Sequence, residues 1–170
     1  VGKVAVEAEK ILRTLGYPER VIELAKIAAY MHDIGNVVNR IDHAQSGAIL
    51  AFRLLDNMGM EAREIAQVIS AIGNHDESTA VAVNPIAAAL ILADKTDVRR
   101  SRVRNRDFGN FDIHDRVNYA VEESKIYFNE EISAVMDYFE IFLGRMLLSR
   151  KAAEFLKIKF ELIINQQRLL

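Results

Sequence analysis

The chain has 170 residues, 51% of them hydrophobic and 27% charged, with 22 Lys and Arg against 24 Asp and Glu. That composition suits one domain, or one domain with an appendage, and excludes a disordered or fibrous chain. The net charge of −2 argues against whole-chain attraction to nucleic acid or anionic lipid, and the absence of cysteine excludes disulfides, thiolate catalysis and cysteine-ligated metal centres.

The N-terminus shows no charged leader followed by an apolar run. The longest apolar stretch, Pro85 to Ala93, is nine residues, short of the ~20 that span a bilayer. The expectation is a soluble, cytoplasmic protein.

Helical spacing dominates the first two thirds. Val4, Ala8, Ile11, Leu12 and Leu15 share one face and stop at Gly16. Pro18 opens a second helix with its stripe at Val21, Leu24, Ala25, Ala28 and Ala29, ended by Gly35. Asp42 and Gln45 have the spacing of a capping box for a third, which is expected to bury Gly47, Ala51, Leu54, Leu55 and Met58 before Gly59. Ile65, Val68, Ile69 and Ile72 make a fourth stripe, ending at Gly73. Asn84-Pro85 combines an N-cap with a first-turn proline and opens a fifth, the apolar PIAAALILAD.

After Arg106 the character changes. RDFGNFD reads as a loop, Ile113, Val117, Ala120 and Val121 as another helix, and Ile132 to Met146 as a long amphipathic one. Ile158, Phe160, Leu162 and Ile164 alternate like a strand, with residues 124–128 as its partner. The fold class expected is mostly α: a helical bundle over 1–110 with a small α+β appendage over 111–170, packed on the core or at a dimer interface.

Ionisable groups stand in three similar contexts. His32-Asp33 follows KIAAYM, His75-Asp76 follows VISAIGN, and Asp94 follows AALILA. Each apolar helix delivers an ionisable group at or near its C-terminal end, where a buried charge needs a partner. One divalent cation satisfies imidazole and carboxylate together. His32 and Asp33 would point about 100° apart on an unbroken helix, so a shared ion needs a fray or kink there, which Gly35 permits. Singly, each group has a plainer reading: a core histidine, a helix-end aspartate or, for His43, a surface residue.

Four segments, AAYMHDIGN (28–36), DHAQSGA (42–48), ISAIGNHDE (69–77) and ILADKTDVRR (91–100), taken in order, resemble the HD-domain superfamily of metal-dependent phosphohydrolases. His43 and His75 resemble its subgroup with extra histidines, which includes dinucleoside tetraphosphate hydrolases and cyclic-dinucleotide phosphodiesterases. The resemblance implies one or two divalent ions (Mn, Fe, Co, Ni, Zn or Mg). His32, Asp33 and Asp94 would hold the first, Asp33 would bridge, and His43 and His75 would serve the second. The family's upstream histidine ligand aligns immediately before Val1. Asn36 stands where many relatives have a lysine, with Arg40 near enough in sequence to supply that charge.

The activity implied is cleavage of a phosphoester or phosphoanhydride bond of a nucleotide or small phosphorylated metabolite by metal-activated hydroxide. Asp33, Lys95 and Arg99 are the catalytic candidates, and Asn36, Arg40, Lys95, Arg99 and Arg100 the candidates for binding substrate. Asp76 or Glu77 would protonate a leaving group or stand as solvated helix-end charges, the latter favoured for Glu77. Most of RRSRVRNR is expected to form a solvated face or salt bridges with Asp97 and Asp107. His114 reads as a surface residue of a helix's first turn. Nucleic acid is disfavoured as a partner, and a homodimer through the C-terminal part is expected. The alternative is a non-catalytic regulatory module of this fold that binds a nucleotide or a protein partner.

Overall fold

The structure, a computed structural model, describes residues 1–103, 113–122, 124–125, 143–161, 163–164 and 167–168. It is mostly helical. In chain order come α1 (Gly2–Thr14), α2 (Glu19–Met31), a 3₁₀ turn (Ile34–Val37), α3 (His43–Asn57), α4 (Ala62–Gly73) and α5 (Pro85–Lys95). A second 3₁₀ turn (Arg100–Arg102) precedes α6 (Ile113–Ala120), β1 (Ser124–Lys125), α7 (Leu143–Phe155), β2 (Ile163–Ile164) and β3 (Gln167–Arg168).

The sequence punctuation accounts for the ends. Gly16 adopts φ +73°, a left-handed conformation that costs glycine little, and it turns the chain from α1 into α2. The Glu61 side chain accepts from the amides of Arg63 and Glu64, capping α4. Asn84 accepts from the Ala87 amide and donates to Ser70 Oγ at 3.0 Å, so the cap that starts α5 also ties it to α4. The capping box expected at Asp42 does not form. Asp42 is itself left-handed, at φ 56°, and its side chain makes no cap bond, because the chain enters α3 from a sharp turn rather than an extended approach.

α5 is the centre. All ten residues from Ile86 to Lys95 are buried, and the helix packs against α1, α2, α4 and α7. A helix apolar on every side belongs inside a bundle, and truncating Leu90 or Ile91 to Ala there would cost about 2–5 kcal/mol. α3 lies outside, on α4 and the first 3₁₀ turn. Its Leu54 and Met58, expected in the core, are 44% and 81% exposed, because among the described residues it is the Gly47–Ala51–Leu55 face that is buried.

The C-terminal elements lie against the same core. Met146, Leu148, Ala152 and Ala153 of α7 are buried, and Ser124 Oγ donates to the Thr96 carbonyl. β1 pairs antiparallel with β2, and β2 with β3, two residues each. The strand expected from Ile158 is thus seen, among the described residues, at Ile163–Ile164. The helix expected from Ile132 is described only from Leu143 onward, its earlier part lying outside the described residues. Among those residues no helix is long and apolar enough to cross a membrane.

Candidate metal centre and phosphate cleft

Three helix C-termini meet at one corner of the bundle. α2 ends at Met31, and the chain leaves helical geometry at Asp33 (φ −95°, ψ 5°) before the 3₁₀ turn. That break lets the adjacent His32 and Asp33 face each other, with Nε2 3.5 Å from Oδ2. His75 follows the end of α4, and Asp94 sits in the last turn of α5. Unpaired carbonyls make helix C-termini electronegative, so the corner favours a cation before any side chain is counted.

His43 comes from the start of α3. It reaches the same corner because Gly35 lies against the backbone of α3: a Cβ on Gly35 would overlap the His43 carbonyl oxygen and lie 2.6 Å from the Gly47 amide nitrogen. Only glycine permits that approach.

The three imidazoles are oriented alike. His32 Nδ1 is 2.8 Å from the Ala29 carbonyl, His43 Nδ1 3.0 Å from that of Arg40, and His75 Nδ1 2.6 Å from that of Ile72. A carbonyl only accepts, so Nδ1 carries the hydrogen in each ring, and in the neutral ring Nε2 keeps its lone pair. The His75 ring stands edge-on between the other two, its centroid 5.0 Å from His32 and 5.1 Å from His43. Ligand atoms of His32, Asp33 and His75 all lie within 4.8 Å of one another. Asp94 Oδ1 approaches His32 Nε2 at 3.6 Å, and Asp33 Oδ1 approaches His43 Nε2 at 3.6 Å.

These separations are too long for hydrogen bonds. They match the edge of a coordination shell, about 3.4 Å when donors stand ~2.1 Å from a tetrahedral ion. The donor set of imidazole and carboxylate, the Nε2 lone pairs and the carbonyl bonds behind them therefore fit divalent metal. Asp33, with one oxygen towards His32 and the other towards His43, is placed between two sub-clusters.

Electrostatics at the corner are strong. Burial pushes the His75 imidazole down to about 4, which keeps it neutral. Burial also opposes charge on His32, but Asp94 and Asp33 outweigh it and leave that ring above its ordinary value. Burial favours the neutral form of Asp94, yet Lys95 and His32 overcome it and hold the carboxyl well below the usual range. Asp76 is likewise lowered, burial being outweighed by the Ser78 hydroxyl and Lys95, so it carries no proton to donate at neutral pH.

A cleft of about 530 Å³ opens beside this corner, lined by Asp33, His43, His75 and Asp94 together with Arg40 and Lys95. The buried Lys95 donates to Asp94 Oδ2 at 2.7 Å. Asn36 stands behind the corner, its amide donating to Asp33 Oδ1 at 2.8 Å, while Arg40 donates to Asn36 Oδ1 at 3.4 Å. Asn36 is thus a positioning residue for Asp33 rather than part of the cleft lining.

Two expected phosphate-binding residues point elsewhere. Arg99 donates to both oxygens of the buried Asp97, at 2.6 and 3.3 Å, and Arg100 donates to the Tyr119 carbonyl with its guanidinium over the Tyr119 ring. Neither lines the cleft. The backbone turns extended at Arg99 once α5 has ended, and a buried carboxylate two residues back captures the guanidinium. Arg104, Arg106, Asp107 and the His114 side chain lie outside the described residues.

The cleft also contains Asn118 of α6 and Arg145 of α7, which pattern reading passed over. The available signal was a lone arginine within the apolar run FLGRMLL. Arg145 Nε lies 2.5 Å from Glu77 Oε1, so Glu77 is an ion-paired wall of the cleft rather than a merely solvated charge.

No curated protein and no solved structure matched the chain. Residues 2–140 match the HD domain, a match that includes all four segments around the histidines and aspartates of the corner. HD domains bind divalent metals and are generally metal-dependent hydrolases; this chain belongs to the HD domain family.

Proposed function

We propose that the protein is a metal-dependent phosphohydrolase that cleaves a phosphoester or phosphoanhydride bond of a nucleotide or another small phosphorylated metabolite. The observation that carries this reading is the convergence of three Nε2 lone pairs and two aspartates beside a cleft that also holds Arg40 and Lys95. His32, Asp33 and Asp94 would hold one cation, with His43 and His75 serving a second that shares Asp33.

Cations bound there would supply a water acidic enough to lose its proton near neutral pH. The remaining work falls to side chains. Lys95, fixed by Asp94, is the cation beside the ligand cluster and balances negative charge developing on the phosphoryl oxygens. Arg40 stands on the Asp33 side of the cleft and orients the phosphate. The Nδ1 bonds to Ala29, Arg40 and Ile72 hold the imidazoles in place, and Asn36 holds Asp33. In the same reading the protein works in the cytoplasm on a small molecule rather than on nucleic acid, and its C-terminal part is an α+β appendage available for self-association.

The test is metal content and turnover. Protein purified without chelator should carry one or two divalent ions per chain and release phosphate from nucleotides with added Mn²⁺. Release should vanish in Asp33→Ala and Asp94→Ala variants that still fold. Nucleotide-induced thermal stabilisation without any turnover would instead identify a regulatory binding module.

A further inference from the structure

The strongest unexplained group in the cleft lies beyond the stretch that matches the family. Arg145 is on α7, past residue 140 where the match ends. Its side chain is only 17% exposed, and the buried Met146 and Leu148 next to it seat the helix on the core. A helix therefore fixes the place of this guanidinium. Glu77 Oε1, 2.5 Å from Arg145 Nε, is also 4.0 Å from Lys95 Nζ. Lys95 in turn holds Asp94 at 2.7 Å.

Asp94, Lys95, Glu77 and Arg145 thus form a row of alternating charge that runs from the ligand cluster along the cleft. The Glu77 carboxylate marks a position between two cations where an anionic oxygen is stabilised.

We propose that Arg145 binds a second phosphate of the substrate, so that the preferred substrates carry two directly joined phosphoryl groups, as in a nucleoside diphosphate. The inference rests on the hydrolase reading only for the place of the first phosphate, beside the ligand cluster and Lys95. The second phosphate displaces the Glu77 carboxylate from Arg145 and takes its place. A guanidinium suits this exchange, since its parallel N–H groups meet phosphate and carboxylate oxygens alike. The volume of the cleft, about 530 Å³, accommodates a nucleotide-sized ligand.

The experiment is calorimetric titration of the full chain, in magnesium-containing buffer, with α,β-methylene-ADP and with AMP. The wild type should bind the diphosphate analogue about tenfold or more tightly than AMP, as one charge-assisted contact implies. Arg145→Gln should remove most of that preference, with a far smaller loss for AMP, and Arg145→Lys should keep part of it. Glu77→Gln should tighten the diphosphate analogue, because its competitor for Arg145 loses its charge.

A wild type that binds neither nucleotide, or both equally, overturns the proposal. So does an Arg145→Gln protein with the preference intact or with both affinities lowered equally. If Arg145→Gln does not fold, Glu77→Gln decides, and weaker binding there overturns the proposal. Absence of phosphate release by the wild type sinks the hydrolase reading alone, since these outcomes are read by binding.

Discussion

Gly35 and the carbonyl oxygen of His43 are packed so closely that no side chain fits between them. Both partners are backbone and cannot rotate away, so this contact sets how near Asp33, two residues before Gly35, comes to the His43 ring. Gly35→Ala should therefore force the 3₁₀ turn away from α3. The expected cost is about 1–3 kcal/mol of stability, seen in urea unfolding, together with a metal content below half that of the wild type. A folded Gly35→Ala protein with full metal would show that the approach does not govern the site.

Asn36 acts one step behind the ligands. Its amide donates to Asp33 Oδ1 at 2.8 Å and fixes which way that carboxylate faces. Losing such a support should weaken divalent-metal binding by about 10–100-fold in Asn36→Ala, measured by titrating chelated protein with Mn²⁺. The fold should survive, since Asn36 is exposed. Unaltered affinity would reduce the bond to a surface contact.

Much of this corner was legible before any coordinates. The apolar stripes of α1, α2, α4 and α5 announce buried helices, and His32-Asp33, His75 and Asp94 fall where those helices stop, so a bundle with aligned ends brings them together. The break expected at Gly35 falls earlier, at Asp33, and Gly35 instead admits the backbone of α3. Other features depended on distance in three dimensions. The lone arginine of FLGRMLL singles out Arg145 but not its entry into the cleft from α7, and nothing in RRSRVRNR shows that Arg99 turns back to Asp97. Leu54 and Met58 satisfy the helical period of α3 yet are exposed, because periodicity reports a face and not what covers it. By contrast, the pairing expected between residues 124–128 and the alternating stretch is present, among the described residues, as two residue pairs about forty positions apart in sequence.

Arg99 separates a phosphate-binding role from a structural one. It pairs with both oxygens of Asp97, a side chain only 7% exposed, while Lys3 approaches the same carboxylate at 3.4 Å. Removing one partner of a buried ion pair strands the other charge; with Lys3 left in place, Arg99→Met should cost about 2 kcal/mol. Phosphate release per folded molecule should stay within about twofold of wild type, because Arg99 does not line the cleft. A large fall in kcat/KM with stability unchanged would return Arg99 to the substrate.

The Arg20–Glu64 pair joins α2 to α4 on the surface, with Arg20 Nε 2.6 Å from Glu64 Oε1 and the second guanidinium nitrogen on Oε2. The Arg20 hydrogen bonds hold the Glu64 carboxyl below its ordinary value of 4.5. The folded state thus binds this proton less readily than the unfolded state does, so lowering the pH favours unfolding. The stability contributed by the pair is fully present above about pH 5 and is lost as pH falls through 4.5 towards the lowered folded value. Glu64→Gln removes the titrating group. The gap in urea midpoint between wild type and Glu64→Gln should therefore hold steady near neutral pH and narrow as pH falls below 4.5, and it should shrink in 1 M NaCl, where exposed pairs are screened. A gap that does not narrow on acidification would mean that the substitution disturbs the packing of α2 on α4 rather than an ion pair.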